Sequence, residues 1–303
     1  MTVWLCSGQG AQKPGMGADL LDIPEVADTF AVMSEGLGLD LVRLAQEGSE
    51  DEVNDAVAAQ ALTMAVSVGI GRALKARGFS PDAIIGFSLG QVSALVLADV
   101  LSLEDATTLL RVRAGAMARA CAENPGGMVA LMGATIEDAQ ELCESVREDD
   151  VLVPANCNAP GQIVISGTDE ALSRAQDAWK EAGKRSVRLA TAGAFHSPLM
   201  ATAAQEVRDL CEGLDFAEPS ATLICNTDAQ PFRTAEAAER MGKQVETGVL
   251  FEQSVRSLLD SGETDFVEVG FGGVLNGLVR KIDKTANRAA IGDRKQFDEY
   301  VAA

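Results

Sequence analysis

The chain has 303 residues, 47% hydrophobic and 23% charged, the balance of a globular protein with one large domain and an insertion, or with two domains. A net charge of −20 argues against binding to nucleic acid and to anionic membrane surfaces, both of which would repel it; the acidity favours solubility. The N-terminus has no basic region followed by an apolar stretch, and no apolar run looks long enough for a membrane span, so neither a signal peptide nor a membrane is expected.

Residues 3–6 predict a short first strand. It runs into Ser7-Gly8-Gln9-Gly10-Ala11-Gln12. A Gly-x-Gly-x-x-Gly nucleotide loop would need glycine where Lys13 stands, so dinucleotide binding is set aside. What remains is a tight loop presenting Gln9 and Gln12 at the carboxyl end of a strand, the edge where open α/β sheets collect ligands. Residues 24–57 read as mixed helix and loop with acidic patches. Residues 58–77 form a long core helix that ends at Gly78.

The densest signal comes next. Pro81 and Asp82 precede a buried strand over 83–85, and the pattern turns helical over 89–98, with Val92, Leu95 and Val96 on one face. Ser88 therefore sits on a sharp strand-to-helix turn. Gly86 and Gly90 leave room there for crossing backbone. This is the Gly-x-Ser-x-Gly nucleophile elbow, whose backbone N–H groups can also hold an oxyanion.

Ser102 and Asp105 predict a capping box at the start of a helix that reaches about Cys121. Arg113 shares its stripe with Leu109, Leu110 and Met117. A guanidinium on a core-facing stripe is costly if unpaired, so it calls for either an internal carboxylate or a ligand anion.

Pro125-Gly126-Gly127 breaks the composition. Strand 128–132, helix 136–146, strands 151–156 and 162–167, helix 169–182 and strand 185–189 follow, in the βαββαβ order of a ferredoxin-like subdomain. This subdomain can form one wall of a cleft. Residues 156–162 read as its central turn, with Asn156 and Asn158 as turn formers or pocket residues.

His196 is the only histidine. It lies between a strand end and a helix start, with Ser197 as N-cap and Pro198 in the first helical position. The positive end of that helix favours the neutral imidazole a general base needs. Strands 222–225 and 265–269 follow, the second leading through Gly270-Phe271-Gly272-Gly273 to a helix over 274–282. With no Lys-Ser/Thr after it, that loop is a βα turn rather than a phosphate cradle. Residues 283–303 read as a polar tail with one short strand or helix. The six cysteines form no Cys-x-x-Cys pair and lie mostly in apolar runs, as reduced core thiols of a cytoplasmic protein do; no metal site is visible.

Ser88 needs a base, and His196 is the one histidine available. Both fall at strand ends, the arrangement of acyl transfer. Arg113 can clamp a carboxylate on the acyl group. With these residues in place the sequence resembles the malonyl-CoA:acyl carrier protein transacylase family over nearly its whole length. The resemblance rests on Gly8 to Gln12, Gly86 to Gly90, Arg113 in its helix, Asn156 to Gly167, Ala194 to Ser197, and Glu268 to Gly272.

The resemblance implies an α/β-hydrolase-like domain (1–124 and 190–303) with a central, mostly parallel sheet, carrying a ferredoxin-like insertion (125–189). It implies Ser88 as the acylated nucleophile, His196 as base and then acid, and Arg113 as the malonyl carboxylate's partner. The N–H groups of Gln9 and Leu89 would form the oxyanion hole, and Phe195 would crowd out a 2-methyl branch. The substrates would be malonyl-CoA and the phosphopantetheine thiol of an acyl carrier protein, in fatty-acid synthesis, with no bound cofactor and the enzyme a monomer. The carrier, usually acidic, would dock on a local basic patch: Lys180, Lys184, Arg185 and Arg188, or Arg280, Lys281 and Lys284.

Three positions depart from the family pattern. Ser7 stands in place of proline and Phe87 in place of histidine. Leu250 stands where the family places a glutamine near the catalytic histidine; a backbone carbonyl that orients the ring can still come from Leu250, whereas a side-chain amide cannot. Other readings are the transacylase subunit of malonate decarboxylase, a stand-alone polyketide acyltransferase, a serine esterase or thioesterase, and a non-catalytic scaffold that binds a carrier. A buried arginine argues against a neutral ester substrate.

Overall fold

The computed structural model describes residues 1–303. The first strand, β1 (Thr2–Cys6), is followed by α1 (Pro24–Leu37), α2 (Leu41–Glu47), α3 (Glu50–Val53) and α4 (Ala56–Ala76). The stretch read as mixed helix and loop is thus three helices with the usual start signals: Pro24 in the first turn of α1, Asp40 capping α2, and a reciprocal capping box between Ser49 and Glu52 on α3. With 21 residues, α4 is long and apolar enough to cross a membrane, contrary to expectation. Its apolar surface is instead buried within the protein, against α1, α5 and α6.

The elbow follows as β2 (Ala83–Gly86) and α5 (Gly90–Leu97), and then α6 (Leu103–Glu123). Ser102 caps α6 at the Asp105 N–H, but the Asp105 carboxylate takes the Ser102 hydroxyl rather than its N–H. This makes one arm of a capping box, not both.

Next come β3 (Gly127–Met132), α7 (Ile136–Val146), β4 (Leu152–Ala159), β5 (Gln162–Gly167), α8 (Asp169–Glu181) and β6 (Arg185–Arg188). The rest is α9 (Ala201–Cys211), β7 (Thr222–Cys225), β8 (Gln230–Pro231), α10 (Ala237–Glu246), β9 (Val249–Leu250), α11 (Phe251–Asp260), β10 (Asp265–Val269), α12 (Val274–Ile282), β11 (Asn287–Ile291) and α13 (Arg294–Ala302). Residues 283–303 are therefore no polar tail. They hold both a strand, parallel to β10, and a helix whose Phe297 is buried.

The larger sheet has the order β11-β10-β1-β2-β7-β8, parallel throughout except for β8. β1 lies between β2 and β10, and its side chains from Val3 to Cys6 are fully buried, as expected of a parallel strand covered on both faces. In register, Cys6 lies beside Gly86 on one side and Val269 on the other. The loops after β1, β2 and β10 therefore leave the sheet together. That common carboxyl edge is where an open α/β sheet offers a crevice.

The second sheet has the order β6-β3-β5-β4-β9. Its first four strands are antiparallel, and α7 and α8 cover one face, with Trp179 of α8 packed in one cluster with Val129, Leu131, Ile163 and Ile165 of the sheet. The fifth strand, β9, comes from the chain beyond this unit and runs parallel to β4, tying the two sheets together. Asn156 and Asn158 lie within β4, at an irregular stretch, and the turn is left to Pro160 and Gly161. They are not turn formers.

Candidate active site

Ser88 is held at φ 51°, a backbone strain typical of nucleophile elbows and tolerated only where the surroundings enforce it. The glycines show how tight the elbow is. A Cβ on Gly90 would lie 2.1 Å from the Cys6 carbonyl oxygen, and one on Gly86 would lie 2.2 Å from the Gln91 nitrogen. Asn226, at the end of β7, closes the turn by donating from Nδ2 to the Gly86 carbonyl (3.0 Å), while its own N–H donates to the Gln91 side chain (3.1 Å). Phe87 turns away to pack edge-on against Phe251 at 5.5 Å.

His196 is also at positive φ, 59°, and is 3% exposed. Its Nε2 lies 2.8 Å from Ser88 Oγ. Its Nδ1 lies 3.0 Å from the Gln244 carbonyl oxygen and 3.1 Å from that of Thr247. Carbonyls only accept, so the proton sits on Nδ1 and Nε2 is free to accept the serine proton. Carbonyls in the last turn of a helix lack internal partners, and the end of α10 supplies these two. Leu250 does not orient the ring. Its side chain packs on the core of the second sheet and its N–H donates to Asn226, so the expected role passes to Gln244 and Thr247.

Burial first, and the Arg113 charge second, push the His196 pKa down to about 4. Ser197 caps the next element through the Leu199 N–H with Pro198 in its first turn, as expected, but that element is a 3-10 turn, Pro198–Met200, that leads into α9 at Ala201.

Arg113, 1% exposed, has no carboxylate partner. Its Nη1 donates to Gln60 Oε1 at 2.7 Å, its Nε and Nη2 to Gln244 Oε1 at 3.3 and 3.2 Å, and Nη2 also reaches Ser88 Oγ at 3.3 Å. Burial lowers its pKa only to about 10, so it is charged at neutral pH. Of the two sequence alternatives for this arginine, the internal carboxylate is eliminated.

Gln9, Leu89, Asn156, Asn158 and Phe195 line the same cavity as Ser88, Arg113 and His196, with a volume of about 960 Å³. The N–H groups of Gln9 and Leu89 have no acceptor within the protein. The side-chain oxygen of Asn158 is buried without a hydrogen bond. Phe195 is half-buried beside Met128, Ala155 and Val164. Ser7 donates to Glu268 at 3.1 Å, and the other carboxylate oxygen of Glu268 accepts from the Asn276 N–H at 2.8 Å.

Sequence reasoning missed Gln60, Gln244, Thr247 and Asn226. No motif marks them. The one available signal was a glutamine on the buried stripe of α4, which an apolar reading of that helix passes over.

Comparison with known proteins agrees with this geometry. The family model for the acyl transferase domain matches residues 3–295. A malonyl CoA-acyl carrier protein transacylase of Bacillus subtilis (strain 168) is 35% identical over 299 residues, covering 97% of this chain and 94% of that protein. The crystal structure of MCAT from Streptococcus pneumoniae superposes with a TM-score of 0.95 at 36% identity, covering 100% of this chain and 99% of the other. PlMCAT, a malonyl-transacylase solved in complex with the type II PKS acyl-carrier protein AntF, gives 0.94 at 35% identity, covering 99% and 98%. A serine–histidine pair at the carboxyl edge of a parallel sheet, a charged arginine beside it and a match along the whole chain lead to one conclusion: this protein is an acyltransferase and belongs to the malonyl-CoA:acyl carrier protein transacylase family.

Proposed function

We propose that this protein transfers the malonyl group from malonyl-CoA to the phosphopantetheine thiol of an acyl carrier protein, by a ping-pong mechanism through a malonyl-serine, and supplies fatty-acid synthesis. The observation that carries this reading is the charged, carboxylate-free Arg113 with one guanidinium nitrogen 3.3 Å from Ser88 Oγ. A guanidinium so placed favours an acyl group that carries its own carboxylate. The names of the relatives, and the carrier bound to PlMCAT, support the same substrates.

In the first half-reaction His196 Nε2 takes the Ser88 proton as Oγ attacks the thioester carbonyl. The oxyanion is held by the N–H groups of Gln9 and Leu89, and collapse expels CoA, which is protonated from His196. In the second, the carrier thiol gives its proton to His196 and attacks the ester, and Ser88 leaves with that proton. Arg113 fixes the malonyl carboxylate so that the ester carbonyl stays in the hole. Phe195 narrows the cavity at the acyl group's second carbon, and Asn156 and Asn158 add polar wall. In this reading residues 1–124 and 190–303 form an α/β-hydrolase-like domain and 125–189 a ferredoxin-like insertion.

The test is incubation with malonyl-CoA, with and without holo carrier protein. A malonyl adduct confined to Ser88 that leaves on adding the carrier supports the reading. Rapid release of free malonate without carrier supports a thioesterase. Because PlMCAT works with a polyketide carrier, fatty-acid and polyketide carriers are compared as acceptors. A large preference for the polyketide carrier would move the enzyme to that pathway.

A further inference from the structure

We propose that Ser7 is a positioning residue for the oxyanion hole: its hydroxyl, bonded to the buried Glu268, fixes the loop that carries the Gln9 N–H. This rests on the malonyl-transfer reading above. Ser7 stands where the family pattern has proline, which has no hydroxyl to make the bond.

The loop over residues 7–12 has little else to hold it. None of its backbone groups enters a backbone–backbone hydrogen bond. Within it, the Gly10 N–H donates to Gln12 Oε1 at 2.7 Å. Two side-chain hydrogen bonds tie it to the rest of the protein. At its end, Gln12 Nε2 donates to Asn54 Oδ1 at 3.0 Å, in contact with solvent. At its start, Ser7 Oγ donates to Glu268 Oε1 at 3.1 Å, out of solvent. Water competes for the first bond and is excluded from the second, which is the stronger tether for it.

The anchor is fixed and the path to Gln9 is short. Glu268 is fully buried, and its other carboxyl oxygen accepts from the Asn276 N–H in the first turn of α12 at 2.8 Å. Ser7 is 3% exposed and does not line the cavity, so it reaches the chemistry only through the loop. Its hydroxyl is enclosed: a Cβ on Gly270 would lie 2.4 Å from Ser7 Oγ and 2.6 Å from Ser67 Oγ. Gly8 then rests on the elbow, where a Cβ would lie 2.7 Å from both Phe87 Cδ1 and the Phe87 carbonyl oxygen. The two oxyanion donors, Gln9 and Leu89, thus belong to loops that touch at Gly8 and Phe87, and the Ser7 bond sets the first of these loops against β10 and α12.

The oxyanion exists only after attack, so a displaced donor costs rate and not substrate binding. The test follows acylation of Ser88 by intact mass after rapid quenching, with malonyl-CoA in excess. A first-order rate constant counts only molecules that react and does not depend on how much of a preparation is folded. Ser7→Ala is expected to lower the saturating rate about 10-fold, less than the loss of a whole oxyanion donor. The half-saturating concentration of malonyl-CoA is expected to keep its wild-type value. Acetyl-CoA is expected to lose the same factor, since both thioesters place their oxygen in one hole. In a Glu268→Ala background, Ser7→Ala is expected to cost nothing further, because its acceptor is gone. A wild-type rate in Ser7→Ala overturns the proposal, as does a loss seen only in half-saturation, a loss confined to malonyl-CoA, or a further fall in the double variant. Failure of the parent reading looks different: wild-type protein then takes no malonyl adduct at all.

Discussion

At the scale of single residues, the site consists of one proton path and one charge. Ser88 donates to His196 Nε2, and the two carbonyls at the end of α10 fix the proton on Nδ1. Burial and Arg113 hold the imidazole pKa near 4. The base form therefore persists well below neutral pH, and kcat/KM for malonyl-CoA should be level from neutral to about pH 5 and fall near pH 4. An acid limb near 6.5, the unperturbed value, would show that His196 is more exposed or more strongly paired than the geometry implies. The same shift affects stability. The unfolded chain takes up a proton at His196 that the folded one refuses, so this contribution is complete above pH 6.5 and is lost as pH falls toward 4. Arg113→Ala should lower malonyl transfer and let acetyl compete; a variant that still strongly prefers malonyl would sink the clamp. Ser88, His196 and Arg113 were legible in the sequence because each has a local signature: an elbow, a lone histidine after a strand, an arginine on an apolar stripe. Gln60, Gln244 and Thr247 were not, because their importance is set by what faces them across the fold.

Among the elements, three loops matter most, those after β1, β2 and β10. They meet because the register places Cys6 beside both Gly86 and Val269. Glu268 sits just before the third loop, fully buried. It links Ser7, ahead of the Gln9 loop, to the first turn of α12 through the Asn276 N–H. The N–H groups at the start of a helix favour such an acceptor. Burial pushes the Glu268 carboxyl above its ordinary pKa, and Glu268→Ala should lower stability by about 1 to 2 kcal/mol, from the lost hydrogen bonds to Ser7 and Asn276, and show it as a lower Tm. An unchanged Tm would mean that the loops are held by packing alone. Strand and helix bounds were mostly readable, since apolar runs and caps mark them locally. The short β8 and β9 were not, because two residues carry no period. β11 and α13 were hidden by the polar surface of an edge strand and a terminal helix.

Across the whole molecule, the proposed transfer would bring a protein of net charge −20 to a carrier protein, and an acidic carrier would call for a local basic area. Two of the candidate cations are already engaged by the protein's own carboxylates, Lys184 by Asp138 and Arg188 by Asp169. Lys281 holds the Gln162 side chain at 2.7 Å, joining α12 to the second sheet. Lys180 and Arg185 are exposed and form no ion pair, and the same holds for the pair Arg280 and Lys284 at the end of α12. Charge reversal at both should raise KM for the carrier and steepen no salt dependence, while malonylation of Ser88 by malonyl-CoA stays unchanged. An unaltered KM would place docking elsewhere. The βαββαβ order could be read from the sequence, but the coupling of its sheet to the rest through β9 could not. That coupling depends on a two-residue strand pairing across the chain.

The proposed mechanism turns on Ser88 carrying a malonyl group between two thiols. The most direct measurement is the intact mass of the protein after malonyl-CoA, with the adduct located by peptide mapping and then chased with holo carrier protein. One malonyl group is expected on Ser88, absent in Ser88→Ala, and passing to the carrier faster than to water. No adduct on Ser88, or its loss to water at the same rate without carrier, would contradict it.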